Sequence, residues 1–266
     1  MIRADLAIAR LRRDLLLSAA LKWGALLACV LLAILVELLH LPASGPLALG
    51  AIGVIWLVLS YRSVKSSRLA AALPMLIAAG EFEQAEQVID EALRSFSIYR
   101  GMKLRVVHQL AVLRHTQRRY PECVLLCRAI LQQRLGSLAG MARSVRLILA
   151  DSYLELGDLR GAYDALSALY RQTLPLGEAL ELTAVQTEYL ARIGAWTELV
   201  KGLRQKVELA ELMPSSRSAR VQAMLALAAR KTGLSQWEQW LKRRAQLLTD
   251  TGELVASRPM LAELFG

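Results

Sequence analysis

The residues able to do chemistry are few and widely spaced. Cys123 and Cys127 stand four apart, which puts two thiols on one face of a helix, and His108 and His115 precede them. A zinc site needs a second tightly spaced ligand pair, and the sequence offers none. Both cysteines fall on the small and bulky positions of an apolar helix face, so their spacing favours packing over metal binding. His108, His115 and Asp151 invite a catalytic reading, but no serine elbow, phosphate loop or paired-carboxylate motif accompanies them. Gly101, Gly136, Gly140 and Gly157 are too scattered to cradle a phosphate. The expectation is a non-enzymatic protein with no catalytic residue, no metal and no cofactor.

Charge and cysteine usage narrow the field further. Three cysteines, one of them (Cys29) inside an apolar run, give no disulfide framework and fit a reducing compartment. Of the net charge of +10, most belongs to the segment after Tyr61. Nucleic-acid binding would call for basic and aromatic residues interleaved on one face, a pattern this chain lacks. Anionic lipid headgroups explain a basic, membrane-tethered domain with fewer assumptions.

The elements that must position these residues begin with two apolar runs, Trp23 to Leu41 and Leu47 to Leu59, joined by a short turn that holds Pro42, Gly45 and Pro46. With its flanks each run reaches the roughly 20 residues that a bilayer-spanning helix needs. They read as two transmembrane helices, at about 23–41 and 44–61, forming a hairpin. The alternative is a pair of buried soluble helices, which are rarely apolar all round for so long. The first 22 residues carry Arg3, Arg10, Arg12 and Arg13 among Leu and Ile, and read as a short basic helix lying on the membrane surface. A cleaved signal fits less well, because the run is long and Leu41-Pro42-Ala43 is a poor cleavage site. Lys and Arg flank both runs and are missing from the turn, so both termini are expected in the cytoplasm, at an inner or plasma membrane if the source is bacterial. Glu37, close to the turn, can reach the outer interface.

Residues 62–266 repeat a two-helix pattern. Its copies centre on Gly80-Glu81-Phe82, Arg118-Arg119-Tyr120, Gly157-Asp158-Leu159, Gly194-Ala195-Trp196 and Gly233-Leu234-Ser235. The third residues of these triplets are separated by 38, 39, 37 and 39 positions. Each Gly lets the chain leave a first helix in a left-handed conformation, and a pair that cannot bury its apolar face alone must stack on its neighbours. On these residues the sequence resembles the tetratricopeptide repeat (TPR) family, best over 143–174 with Leu149, Ala150, Tyr153, Gly157, Ala162 and Leu166. It departs from the family in a period longer than 34 and in the near absence of the repeat-ending Pro. With the apolar runs this gives an all-α chain: a transmembrane hairpin within 1–61, then, as the resemblance implies, a TPR-like α-solenoid of about five helix pairs over 62–266, with a capping helix expected at 253–266. The resemblance also implies a concave groove that binds a protein partner. Mapping the family's groove positions selects Arg105, His108, Gln109, His115, Asp151, Glu155, Glu188, Arg192, Arg220 and Arg230. The lysine-asparagine clamp of chaperone-binding relatives is missing. The expected role is a membrane-anchored scaffold or adaptor. The alternatives are a structural subunit assembling through the hairpin and, more remotely, a membrane hydrolase or metal protein.

Overall fold

The computed structural model describes residues 2–39, 50, 53–54, 56–58, 60–61, 71–95, 97, 99–133 and 135–266. Among these the chain is helical throughout, with no strand. It divides into two compact units, residues 1–145 and 146–266.

The first helix, α1 (Ala4–Leu39), has two halves of different character. At 1.5 Å per residue it is about 54 Å long. Ile2, just before it, and Ala4, Ala7, Leu11, Asp14 and Ser18 within it are buried at steps of two to four residues, which is one helix face. That face packs on three helices of the same unit, α3 (Phe82–Arg94), α4 (Arg100–Thr116) and α5 (Tyr120–Leu131). From Leu21 to Leu31 no residue is buried, and Trp23, Leu26, Leu27, Val30 and Leu31 are exposed. α1 is the one helix among the described residues long and apolar enough to cross a membrane. Its basic first half does not lie free for a membrane surface, as expected, but docks on protein. The small residues Ala4, Ala7 and Ser18 admit a close neighbour, while Arg3, Arg12 and Arg13 stay exposed. The expected hairpin turn and much of the second apolar run, like the side chain of Glu37, lie outside the described residues. The parts of that run that are described, Gly53, Val54, Trp56–Val58, Ser60 and Tyr61, are helical and mostly exposed.

The five repeat copies coincide with five helix–turn–helix pairs. α2 (Leu73–Ala78) precedes α3, and α4 precedes α5. α6 (Ala139–Glu155) precedes α7 (Leu159–Ser167). α8 (Leu176–Arg192) precedes α9 (Trp196–Val200) and α10 (Leu203–Glu211). α11 (Ser215–Lys231) precedes α12 (Ser235–Leu248). Phe82, Tyr120, Leu159, Trp196 and Ser235 each begin the second helix of a pair. Two residues before each stands a left-handed residue: Gly80, Gly157, Gly194 and Gly233 at φ between 71° and 79°, and Arg118 at 59°. In all five turns the next N–H bonds the carbonyl five residues back, Asp158 to Tyr153 at 2.9 Å being one, so the end of the first helix is closed by its own backbone.

Two departures matter for the site. The fourth pair's second element breaks at Gly202 (φ 63°), and Lys206 Nζ donates to the carbonyls of Glu198 and Leu199 at 2.9 and 2.8 Å across the break. The C-terminal cap is not one helix but α13 (Thr251–Ser257), a 3-10 turn (Pro259–Leu261) and α14 (Ala262–Phe265). Pro259 disfavours helical geometry at the residue before it, and Arg258 is accordingly at φ −141°, ψ 89°. Leu254, Leu261 and Leu264 still bury themselves in the core of this unit, beside Met224 and Leu227 of α11.

Candidate functional site

Three first helices of the second unit present polar stripes to one cleft. Asp151 and Glu155 are one turn apart on α6. Glu181, Glu188 and Arg192 lie seven and four residues apart on α8, and Arg217 and Arg220 three apart on α11. These are the spacings that keep residues on a single helix face. Asp151, Glu181, Glu188, Arg217 and Arg220 line the cleft around an apolar floor of Ala184, Val185, Val221 and Met224. Arg217 pairs with Glu181, and both remain part-exposed. Arg220 makes no hydrogen bond or ion pair among the described residues. Acidic and basic groups both line it, so the cleft suits a ligand carrying both charges, and no Ser, Thr, Cys or Lys is among the described residues that line it.

At one end of the cleft the carboxylates of Asp151, Glu155 and Glu188 come within 4.8 Å of one another. That is close enough to hold a cation, and the chain supplies one. Arg258, buried at the break between α13 and the 3-10 turn, sets Nε 2.7 Å from Glu188 Oε1, donates from Nη2 to Glu188 Oε2 at 3.0 Å, and also bonds Glu155. Burial works against the guanidinium charge, but the Glu188 and Glu155 carboxylates outweigh it and push the Arg258 pKa above its ordinary value. Arg192 also bonds Glu188 Oε1 and donates to the carbonyl of Leu154, tying α8 to α6.

Of the groove residues expected from sequence, Asp151, Glu155, Glu188, Arg192 and Arg220 therefore share one site. Arg230 does not join them; it sits in the last turn of α11, on the carbonyl of Glu263 and 3.9 Å from Glu238. Arg105, His108, Gln109 and His115 belong to α4 in the first unit. There Arg105 is exposed and Gln109 half-buried. His108 Nε2 is 3.2 Å from Ser144 Oγ, and its burial lowers its pKa to about 4. The His115 ring meets Tyr120 edge-on at 5.6 Å. Cys123 and Cys127 are buried with their sulfurs 3.9 Å apart, and the hydrogen bond between them, with burial, pushes the Cys127 thiol well up.

Sequence reasoning missed Glu181, Arg217 and Arg258. The first two were within reach, because they share helix faces with Glu188 and Arg220. Nothing in the sequence pointed to Arg258, which is 103 residues from Glu155.

Compared with protein-family models, curated proteins and solved structures, the chain matches none.

Proposed function

We propose that this chain is a non-enzymatic, membrane-anchored scaffold of TPR-like helix pairs, binding a protein partner of mixed charge in the cleft formed by α6, α8 and α11. The observation that carries the reading is the convergence of three first-helix stripes on one cleft with an apolar floor. Five pairs built on the same turn support the TPR-like solenoid.

The docking of α1 supports the two-span arrangement. Its first half packs on α3, α4 and α5, so residues 2–18 and 82–131 lie on one side of any membrane that the apolar half crosses. A chain that leaves through α1 must then return before α2, and the apolar stretch at 44–61 is placed to do so. Basic flanks at Lys22 and Arg62 put that side in the cytoplasm by the positive-inside rule.

The test is co-purification of the full chain from native membranes in mild detergent, followed by mass spectrometry. The scaffold reading expects a partner that is lost from the Arg217→Glu/Arg220→Glu variant and kept when the apolar half of α1 is replaced by an unrelated span. The converse pattern supports the second reading, a structural subunit held through the membrane. That reading draws on the lack of any buried residue in α1 from Leu21 to Leu31. If wild type retains no protein at all, both readings fail.

A further inference from the structure

Where α1 changes from its docked half to its apolar half, the first unit has an open cleft of ≈ 250 Å³. Ser18, Lys22 and Trp23 of α1 line one side of it, and Arg100 and Gln133 the other. Arg100 Nη2 donates to Gln133 Oε1 at 3.3 Å, while Arg100 Nε is buried without a hydrogen-bond partner among the described residues. Lys22 is exposed and makes no ion pair among them. Among the described residues no acidic side chain lines the cleft. The nearest acid along α1, Asp14, is held by Lys103 at 2.8 Å. Two cations thus line one opening. Trp23, 72% exposed, stands at its rim where the uncovered apolar stretch begins.

We propose that this cleft binds the phosphate of an anionic phospholipid. Lys22 and Arg100 hold the phosphate oxygens, and the Trp23 ring lies at the level of the acyl ester groups. The chemistry is that of any phosphate. The position commits the site to a lipid, because α1 enters the bilayer at this level and amphipathic rings prefer that interface. The proposal rests on the membrane-spanning reading of α1. A headgroup held here also touches α4 through Arg100, so it fixes the height of the docked unit above the bilayer.

The experiment uses the full chain in zwitterionic detergent, with native mass spectrometry counting bound lipid. Phosphatidylglycerol, phosphatidylcholine and inorganic phosphate are supplied in separate arms. Wild type is expected to retain one phosphatidylglycerol in preference to phosphatidylcholine. Lys22→Gln/Arg100→Gln should bind it roughly thirtyfold more weakly, each cation near a membrane surface contributing about a factor of five. Arg204→Gln, at an exposed ion pair in the other unit, should change nothing. Equal retention by the double variant, equal loss in Arg204→Gln, or displacement of the lipid by inorganic phosphate at matched concentration overturns the proposal. Should the double variant lose its helical circular dichroism, Lys22→Gln alone, at an exposed position, carries the test with about a fivefold loss expected. Carbonate extraction separates the two readings. A protein released without detergent sinks the span, whereas one that stays in the membrane but binds no phosphatidylglycerol sinks only the headgroup site.

Discussion

Asp14 and Lys103 meet at 2.8 Å with neither side chain more than 3% exposed. The contact joins α1 to α4, two elements separated by the whole apolar N-terminal region. Lys103 Nζ also donates to the carbonyls of Ala92 and Leu93, each at 3.0 Å, and to that of Ser95, so it closes the C-terminal end of α3 as well. Burial nonetheless lowers the Lys103 pKa, against the pull of Asp14. Eleven residues further along α4 the arrangement recurs with a second cation. Arg114, fully buried, donates to the Ile2 carbonyl at 2.6 Å and to Glu86 at 2.8 Å, and sets its Nε 3.1 Å from Glu122. The start of α1 is thus clamped at both ends of an antiparallel contact with α4.

Removing one partner of a buried pair strands the other, at a cost of about 3–5 kcal/mol. Lys103→Met is expected to destabilise the full chain by that amount, because it takes from Asp14 its buried partner and from the carbonyls of Ala92, Leu93 and Ser95 a charged donor. Asp14→Asn should cost less, since Lys103 keeps the end of α3. Asp14→Leu/Lys103→Met should recover much of the loss. Thermal unfolding of the three variants in detergent, read by circular dichroism, gives the order. If Asp14→Asn is the most damaging, the capping role of Lys103 is wrong.

The same clamp predicts that residues 62–266 do not behave as a self-sufficient domain. Without α1 they leave Lys103 and Arg114 short of Asp14 and the Ile2 carbonyl, and uncover the face that Ala7 and Leu11 cover. Such a fragment should be more easily cleaved by protease than the full chain. Adding a peptide of residues 1–20 should restore protection at α4 and α5. A fragment as resistant as the parent, with no response to the peptide, would show that the docking adds nothing.

The two-helix repeat was legible because its signals are local. A left-handed turn needs glycine or a tolerant substitute, and a large residue after it fills the angle between the helices, so the triplets at Gly80, Gly157, Gly194 and Gly233 announce themselves. Arg118 takes the same conformation without being glycine, yet the spacing around Tyr120 still marked its turn. The docked face of α1 was hidden because, apart from Ile2 and Leu11, its contacts are small or polar. Ala4, Ala7, Asp14 and Ser18 among four arginines read as a surface helix until the partners of Asp14 are known. Half of the cleft could be read from helix faces. Arg258 could not, since its place depends on how the tail folds back over the core.

His108 gives a pH dependence of known sign. Its pKa falls from 6.5 to about 4 through burial, so the unfolded chain takes up a proton that the folded chain refuses. The stability it contributes is complete above pH 6.5 and is lost as pH falls through about 4, at most about 3 kcal/mol. For Glu86 and Asp90 burial opposes the charge, but bonds from Arg114 and Ile2 to the first, and from Arg10 and Arg94 to the second, hold both carboxyls below their ordinary values. Their contributions are therefore lost only below about pH 4.5, beneath most of the window that His108 governs. Between pH 6.5 and 4.5 the wild-type melting temperature should fall, and His108→Gln should flatten that slope. An unchanged slope in the variant would mean that His108 charges freely in the fold.

Arg258 supplies the last prediction, because it separates the architecture of the cleft from its recognition surface. Glu188 is 3% exposed and Arg258 8%, so their pairing is an interior contact beside the cleft. Arg258→Gln leaves Glu155 and Glu188 facing each other with less cation between them. Arg192 still reaches Glu188, but no contact of it with Glu155 is seen among the described residues. The variant should lose about 3–5 kcal/mol of stability at neutral pH. Acidification should return part of that, as one carboxyl takes up a proton to relieve the repulsion. Arg220→Ala, removing a half-exposed cation with no partner among the described residues, should change stability by less than about 0.5 kcal/mol. Its effect should appear in partner retention instead. Denaturation of both variants at pH 7 and pH 5, set beside the co-purification assay, reads the two roles independently. A stable Arg258→Gln protein that has lost its partner would reverse the assignment and make Arg258 part of the recognition surface.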